Sequence, residues 1–460
     1  MRGPLAGWNL RLLFSMEKVD SLINARWVIP VEPDCEALDY HSVAIRGGRI
    51  LAVVPTAEAE ERYEATDVID RPGHVVMPGL VNSHTHAAMT LLRGIADDLP
   101  LEDWLRGHIW PAESRWVSAE FVADGTELAI AEMLRSGTTC FSDMYYFPDV
   151  VARTAARLGM RVCVGLIVLD LPSAWADSAN DYIAKGLALR DEYKAHPLVT
   201  TAFAPHAPYT VSAESLTRIR KLSDELDTPL HVHLHETAGE IADSVSSHGE
   251  RPIERFRRLG LLSPLLIAVH MTQLEQEDIA EIAEAGSHVS HCPESNLKLA
   301  SGICPVARLL EAGVNVALGT DGAASNNDLD MFGEMRSAVL LGKLAADSAA
   351  AVTARDVIRM ATVNGARALG LGEETGSLEP GKWADMIAVD LDRVNTRPVF
   401  DPVSQIVYAA GRDQVTDVWI AGSRLLRESS LARIDEGDLL DRVRGWQRRI
   451  SLTDPESADR

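Results

Sequence analysis

The run PGLVNSHTHAAMTLLRG, residues 78–94, decides the fold, because two histidines, His84 and His86, close an apolar stretch two positions apart. Alternate residues of a β-strand share a face. Val76, Met77, Leu80 and Val81 therefore predict a buried strand whose end presents both imidazoles together. A His-x-His pair alone is common and says little. Its weight comes from what lies downstream, where further apolar strands also end in polar side chains.

Working outward, LVTTAFAPH (198–206), SAESLTRIRKLSDEL (212–226) and PLHVHLHE (229–236) read as strand, helix and strand. Leu216, Ile219, Leu222 and Leu226 recur at helical spacing, and Ser212 stands where a helix needs its cap. The alternation continues through LLIAVH (265–270), a helix ending near Gly286, HVSHCP (288–293), a helix ending near Gly313, and VNVALGTD (314–321). Repeated βα units with short connections predict a parallel sheet, and this many in a row predict closure. The expected fold class is α/β, a (β/α)8 TIM-like barrel over residues 76–372.

Both chain ends carry a different pattern. INARWVIPV (23–31) and HSVAIRGGRILAVV (41–54), with Gly47-Gly48 as a turn, read as short strands of a small sheet. TGSLEPGKWADMIAVD (375–390) and VTDVWIAGSRLL (415–426) repeat those signals. Chain ends commonly meet, so residues 17–75 and 373–435 are expected to form one small β-sandwich domain around the inserted barrel. Residues 1–16 read as an extension, with Met16 an alternative start, and 436–460 as a charged helical tail.

Composition excludes several classes of function. Of 460 residues, 46% are hydrophobic and 24% charged, ordinary globular values, and no apolar run reaches the roughly 18 residues of a membrane span. A net charge of −23 opposes nucleic acid and anionic membranes, which are bound mainly through Lys and Arg. Cys35, Cys140, Cys163, Cys292 and Cys304 are odd in number and lack Cys-x-x-Cys spacing, so neither a disulfide framework nor a thiolate zinc site is expected. A cytoplasmic protein fits.

The predicted strands end in His84 and His86, in His206, in His233 with Glu236 beyond it, in His270 and in Asp321. In a (β/α)8 barrel the C-terminal strand ends form the active-site face, so these residues are expected to converge. Three imidazoles and one carboxylate make an N3O donor set that suits zinc or ferrous iron and leaves a position for water. Such a metal makes hydroxide available at neutral pH. Glu236 is then placed to carry protons, and His270 to hydrogen-bond the attacking hydroxide beside Asp321. His291, Glu294, Ser295 and Asn296 read as a pocket wall or a loop-fixing network, Asp328 and Asp330 as helix caps, and Asp97 and Asp98 as a loop near the pocket mouth. Cys292 and Cys304 have no basic sequence neighbour that marks a nucleophile.

PGLVNSHTH, HVHLHE, AVH and GTD together resemble the amidohydrolase superfamily. LLRGIADDLPLEDWL, IWPAE, APHAPYTVS, VHMTQL, SHCPESNLKLASGICPV and GTDGAASNNDLDMFGEM narrow the resemblance to its 5′-methylthioadenosine/S-adenosylhomocysteine deaminases, over about residues 20 to 425. The resemblance implies that His84, His86, His233 and Asp321 bind one divalent metal, with Glu236 and His270 as the acid/base pair. Zinc is the expected ion, and ferrous iron also suits the donors. It further implies that Glu113 of IWPAE meets the ribose hydroxyls and that His206 of APHAPY faces the substrate; sequence alone would make Glu113 a surface carboxylate at a helix start. Binuclear relatives bridge two metals with a lysine on the fourth strand, and TTAFAPH has none.

The reaction so implied is hydrolytic deamination at C6 of an adenine nucleoside, giving the inosine analogue and ammonia. One departure bears on the substrate. Some relatives carry arginines before the His206 strand that meet the S-adenosylhomocysteine carboxylate, whereas no arginine lies between Arg161 and Arg190 here. Methylthioadenosine or adenosine is therefore expected ahead of S-adenosylhomocysteine, unless Lys185 or a partner subunit supplies the cation. The competing readings are a deaminase or chlorohydrolase of free purine or triazine bases, against which Glu113 argues, and a non-catalytic barrel, against which the retained polar set argues. A homodimer or tetramer is expected.

Overall fold

The computed structural model describes residues 16–451. The expected N-terminal extension, apart from Met16, and the end of the C-terminal tail lie outside the described residues. The first strands are β1 (Glu17–Val28), β2 (Leu38–Arg46), β3 (Arg49–Pro55) and β4 (Tyr63–Pro78). Gly47 and Gly48, with φ of 59° and 76°, make the β2–β3 turn, a conformation that glycine adopts without steric cost.

Eight parallel strands follow: β5 (Leu80–Thr85), β6 (Thr138–Asp143), β7 (Arg161–Val168), β8 (Val199–Pro205), β9 (Leu230–Leu234), β10 (Leu266–His270), β11 (His288–His291) and β12 (Asn315–Leu318). They are ordered consecutively and alternate with helices, as a (β/α)8 barrel requires. The last strands, β13 (Met386–Asp390), β14 (Val415–Ile420), β15 (Ser423–Arg427) and β16 (Ser430–Leu431), return to the first sheet. That sheet runs β16-β15-β14-β13-β4-β1-β2-β3 and is built from both chain ends. It curls until its hairpin turns meet: a Cβ on Gly48 would lie 2.6 Å from the Ala421 carbonyl oxygen.

The apolar run before His84 does not form one strand. Val76 and Met77 belong to β4 of the small sheet, while Leu80 and Val81 open the barrel. The break is at Gly79, where any Cβ would lie 2.1 Å from the Thr139 side chain. Only a bare backbone passes there, and the chain uses it to change sheets. The register of β5 against β6 also shifts between Asn82 and Thr85, so simple alternation does not carry through to the histidines.

Barrel closure happens at the future site. β5 and β12 are joined by Asp321 N–H donating to His84 O at 3.0 Å, by Thr320 N–H donating to Asn82 Oδ1 at 3.0 Å, and by Ser83 Oγ donating to Leu318 O at 2.7 Å. The barrel floor is apolar, with Val81, Cys140, Cys163, Ala202, Ile267 and Ala317 packed against Ala366 and Leu369. The helix Ala213–Leu226 is capped by Ser212, and Met331–Ala345 by Asp330, whose Oδ1 accepts from Phe332 N–H at 2.9 Å. Asp328 does not cap that helix; it accepts from Asp330 N–H instead. No helix among the described residues is long and apolar enough to cross a membrane.

A buried ion pair ties barrel to sheet. Arg161 donates to both oxygens of Asp385 at 2.6 and 3.1 Å, and the two side chains are 3% and 0% exposed. Removing one partner strands the other charge, so Asp385→Ala should destabilise the protein by about 3–5 kcal/mol. Chemical denaturation would measure it, and a loss within about 1 kcal/mol would mean that Arg161 finds water instead.

Candidate active site

The strand ends converge as the barrel requires. His84 Nε2 lies 3.3 Å and His86 Nε2 3.2 Å from Asp321 Oδ1, and His233 Nε2 lies 3.2 Å from His84 Nε2. One donor atom from each of these four residues lies within 4.8 Å of every other. Three of the six separations, at 3.2–3.3 Å, are close to the edge of a tetrahedron with vertices about 2.0–2.1 Å from its centre, the zinc–imidazole distance, and the others lie within 4.8 Å. The outer nitrogens are engaged: His86 Nδ1 is 2.5 Å from Met144 O, and His233 Nδ1 is 2.8 Å from His206 O. Both rings thus donate through Nδ1–H and turn Nε2 inward. The donor set fits a metal ion.

Asp321 is held by three donors. Its Oδ2 accepts from Ser295 Oγ at 2.7 Å and Ser325 Oγ at 2.8 Å, and its Oδ1 accepts from Gly322 N–H at 2.8 Å. His270 and Asp321 have φ of 73° and 62°, so the chain turns through the left-handed region at both strand ends. Each costs about 1–2 kcal/mol in a non-glycine residue. Barrel packing offsets that strain where these side chains must stay over the cavity.

Glu236 lies just beyond β9, its Oε2 3.8 Å from His270 Nε2. Burial raises its carboxyl pKa. His270 is oriented by Asn296, whose Oδ1 lies 2.9 Å from Nδ1, so Nε2 faces the cavity. The backbone at Glu236 is pinned by Glu240, whose oxygens accept from His235 N–H at 3.1 Å and Glu236 N–H at 2.7 Å. Sequence reasoning missed Glu240. Its signal was Thr237-x-x-Glu240, a helix-capping spacing that says nothing about the loop it anchors.

Over this floor lies a cavity of about 520 Å³, a size suited to a small ligand. His206 and Glu113 both face it. Burial, reinforced by the imidazoles of His86 and His84, pushes His206 down to about 3, so it stays neutral. Glu113 sits in the first turn of the helix Trp110–Trp116, half-buried in the cavity wall. Burial pushes its carboxyl up to about 7.

The upper wall is apolar, with Leu101, Leu105, Ile109, Leu169, Leu171 and Pro172, and among the described residues no Lys or Arg lines it. Lys185 is spent elsewhere, on Trp175 O at 2.6 Å and Asp181 Oδ2 at 2.9 Å. Ser295 and Asn296 act behind Asp321 and His270 instead of lining the cavity, and Glu294 accepts from Ser337 Oγ at 2.7 Å. Asp97 is paired with Lys298 at 2.7 Å.

Residues 75–425 match the amidohydrolase family. The chain belongs to that family. Among amidohydrolases it falls with the 5-methylthioadenosine/S-adenosylhomocysteine deaminases. It is 50% identical over 432 residues to the deaminase so named from Teredinibacter turnerae, covering 94% of this chain and 98% of the relative. The one from Saccharophagus degradans is 48% identical, with 94% and 97% covered. The crystal structure of an adenosine deaminase from Xanthomonas campestris with bound zinc superposes with a TM-score of 0.94 at 52% identity, covering 95% of this chain and all of that one. This amidohydrolase is therefore an enzyme, a hydrolase whose barrel carries a His/His/His/Asp cluster able to hold a metal ion.

Proposed function

We propose that the protein deaminates adenine nucleosides at C6, with 5′-methylthioadenosine preferred, giving the inosine analogue and ammonia. The observation that carries this reading is the cavity, which sets a metal-competent floor, with Glu236 beside it, beneath a largely apolar wall that bears Glu113. The relatives' names and the zinc in the Xanthomonas enzyme support it.

In this reading His84, His86, His233 and Asp321 would hold one divalent ion, with zinc the first choice. When bound, the ion supplies water acidic enough to react at neutral pH. Glu236 would take one proton from the attacking water and deliver it to the ring nitrogen beside C6, then take the second from the hydroxyl formed at C6 and pass it to the amine, which leaves as ammonia. His270, oriented by Asn296, hydrogen-bonds the attacking oxygen through Nε2. Addition at C6 and loss of ammonia convert C–NH2 to C=O with one water consumed. Glu113 accepts from the ribose diol, and neutral His206 hydrogen-bonds the substrate. The reading includes a cytoplasmic homo-oligomer; five buried, unpaired cysteines support the compartment.

The test is the adenine-to-hypoxanthine absorbance change on adding 5′-methylthioadenosine to the zinc-loaded protein. No change with methylthioadenosine, adenosine or S-adenosylhomocysteine would overturn the substrate class. A lining without Lys or Arg among the described residues predicts a kcat/KM for methylthioadenosine at least about tenfold above that for S-adenosylhomocysteine, whose carboxylate meets no guanidinium or ammonium there. Equal values would overturn the preference. Glu113→Ala should raise KM by about 10–100-fold through loss of charge-assisted hydrogen bonds. A 2′,3′-dideoxynucleoside should be insensitive to that substitution.

A further inference from the structure

The groups that brace the metal-competent residues are not all of one kind. Backbone carbonyls accept from His86 and His233, and hydroxyls donate to Asp321. His84 is different. Its Nδ1 faces another imidazole nitrogen, Nε2 of His231, at 3.0 Å. Two ring nitrogens at that distance share one proton, so one is N–H and the other a bare lone pair.

The proton's place follows from what His84 must do. Presenting a bare Nε2 inward puts the proton on its Nδ1, which makes His231 Nε2 the acceptor. His231 then carries its own proton on Nδ1, where Ser142 Oγ lies 3.3 Å away. The donors run in one direction, from His84 to His231 to Ser142, away from the site and into the barrel.

We propose that His231 is a positioning residue that fixes the tautomer and ring orientation of His84, and so sets how tightly the protein holds its metal. This rests on the reading that His84 is a ligand. Strand geometry supplies the placement: His231 and His233 alternate along β9, so both enter the barrel, His231 one layer deeper. There it is fully buried, and its ring meets that of His84 edge-on, with centroids 5.0 Å apart. His84 is fully buried too, so without His231 its Nδ1–H would lose its acceptor where water does not reach. Carbonyls cannot be removed by substitution; this brace can.

The experiment measures zinc affinity of the full-length protein by competition with a chromophoric chelator, beside the melting temperature of the metal-free form. His231→Phe keeps the ring shape and removes the acceptor; it should weaken zinc by about 10–100-fold while the metal-free melting temperature stays close to wild type. His231→Gln, whose amide oxygen reaches the Nε2 position, should stay within about threefold of wild type. Wild-type affinity in the Phe variant, or equal losses in Phe and Gln, would overturn the proposal. Should the Phe variant fail to fold, His231→Asn replaces it: Asn keeps the Ser142 contact but not the one to His84, and affinity equal to that of Gln would overturn the proposal. A wild-type protein that binds no zinc would overturn the ligand assignment itself.

Discussion

Glu236→Gln is expected to lower kcat by about 10²–10⁴-fold while the protein keeps its metal, because a glutamine has the carboxylate's shape and cannot carry a proton. Glu236 is not among the four residues whose donor atoms converge, and its backbone N–H is held by Glu240 at 2.7 Å, so the substitution leaves loop and cluster in place. Steady-state kinetics with metal analysis of the same sample checks it. Metal content and KM near wild type with kcat collapsed would place the loss in proton transfer. A variant at wild-type kcat would move the proton carrier elsewhere, with His270, 3.8 Å away, next to be tested.

Asp321→Ala should be as severe by a different route. Its Oδ1 lies within 3.3 Å of two of the imidazole nitrogens, and its carboxylate is the only anion in the donor set. Loss of that charge is expected to empty the site at ordinary zinc concentrations and lower kcat/KM by on the order of 10³ or more, the equivalent of several kcal/mol. The main-chain bond from Asp321 N–H to His84 O survives the substitution, so the barrel should still close and circular dichroism should be unchanged. Chelation of the wild-type protein should reproduce the defect, and added zinc should restore the wild type but not the variant. Full activity in a chelated sample would remove the metal from the mechanism.

The repeat of apolar strands and capped helices determined the barrel without tertiary information, because each unit obeys local rules of period, cap and turn: Ser212 before its helix and Gly286 after another are read one segment at a time. The converging residues were legible for a related reason. A parallel barrel puts all its strand ends on one face, so His84, His233, His270 and Asp321 could be brought together from topology alone. Only the tertiary structure decided the rest. That Gly79 splits the first apolar run follows from Thr139, sixty residues on, which leaves no room for a Cβ. Local sequence makes Glu113 a surface carboxylate and only resemblance put it at the substrate; it is the fold that brings its helix, Trp110–Trp116, to the cavity wall. Glu240, Asn296 and His231 act through hydrogen bonds of about 3 Å to residues that do. Hydrogen bonds depend on distance and angle, not on sequence spacing, so such second partners become visible only when the chain is folded.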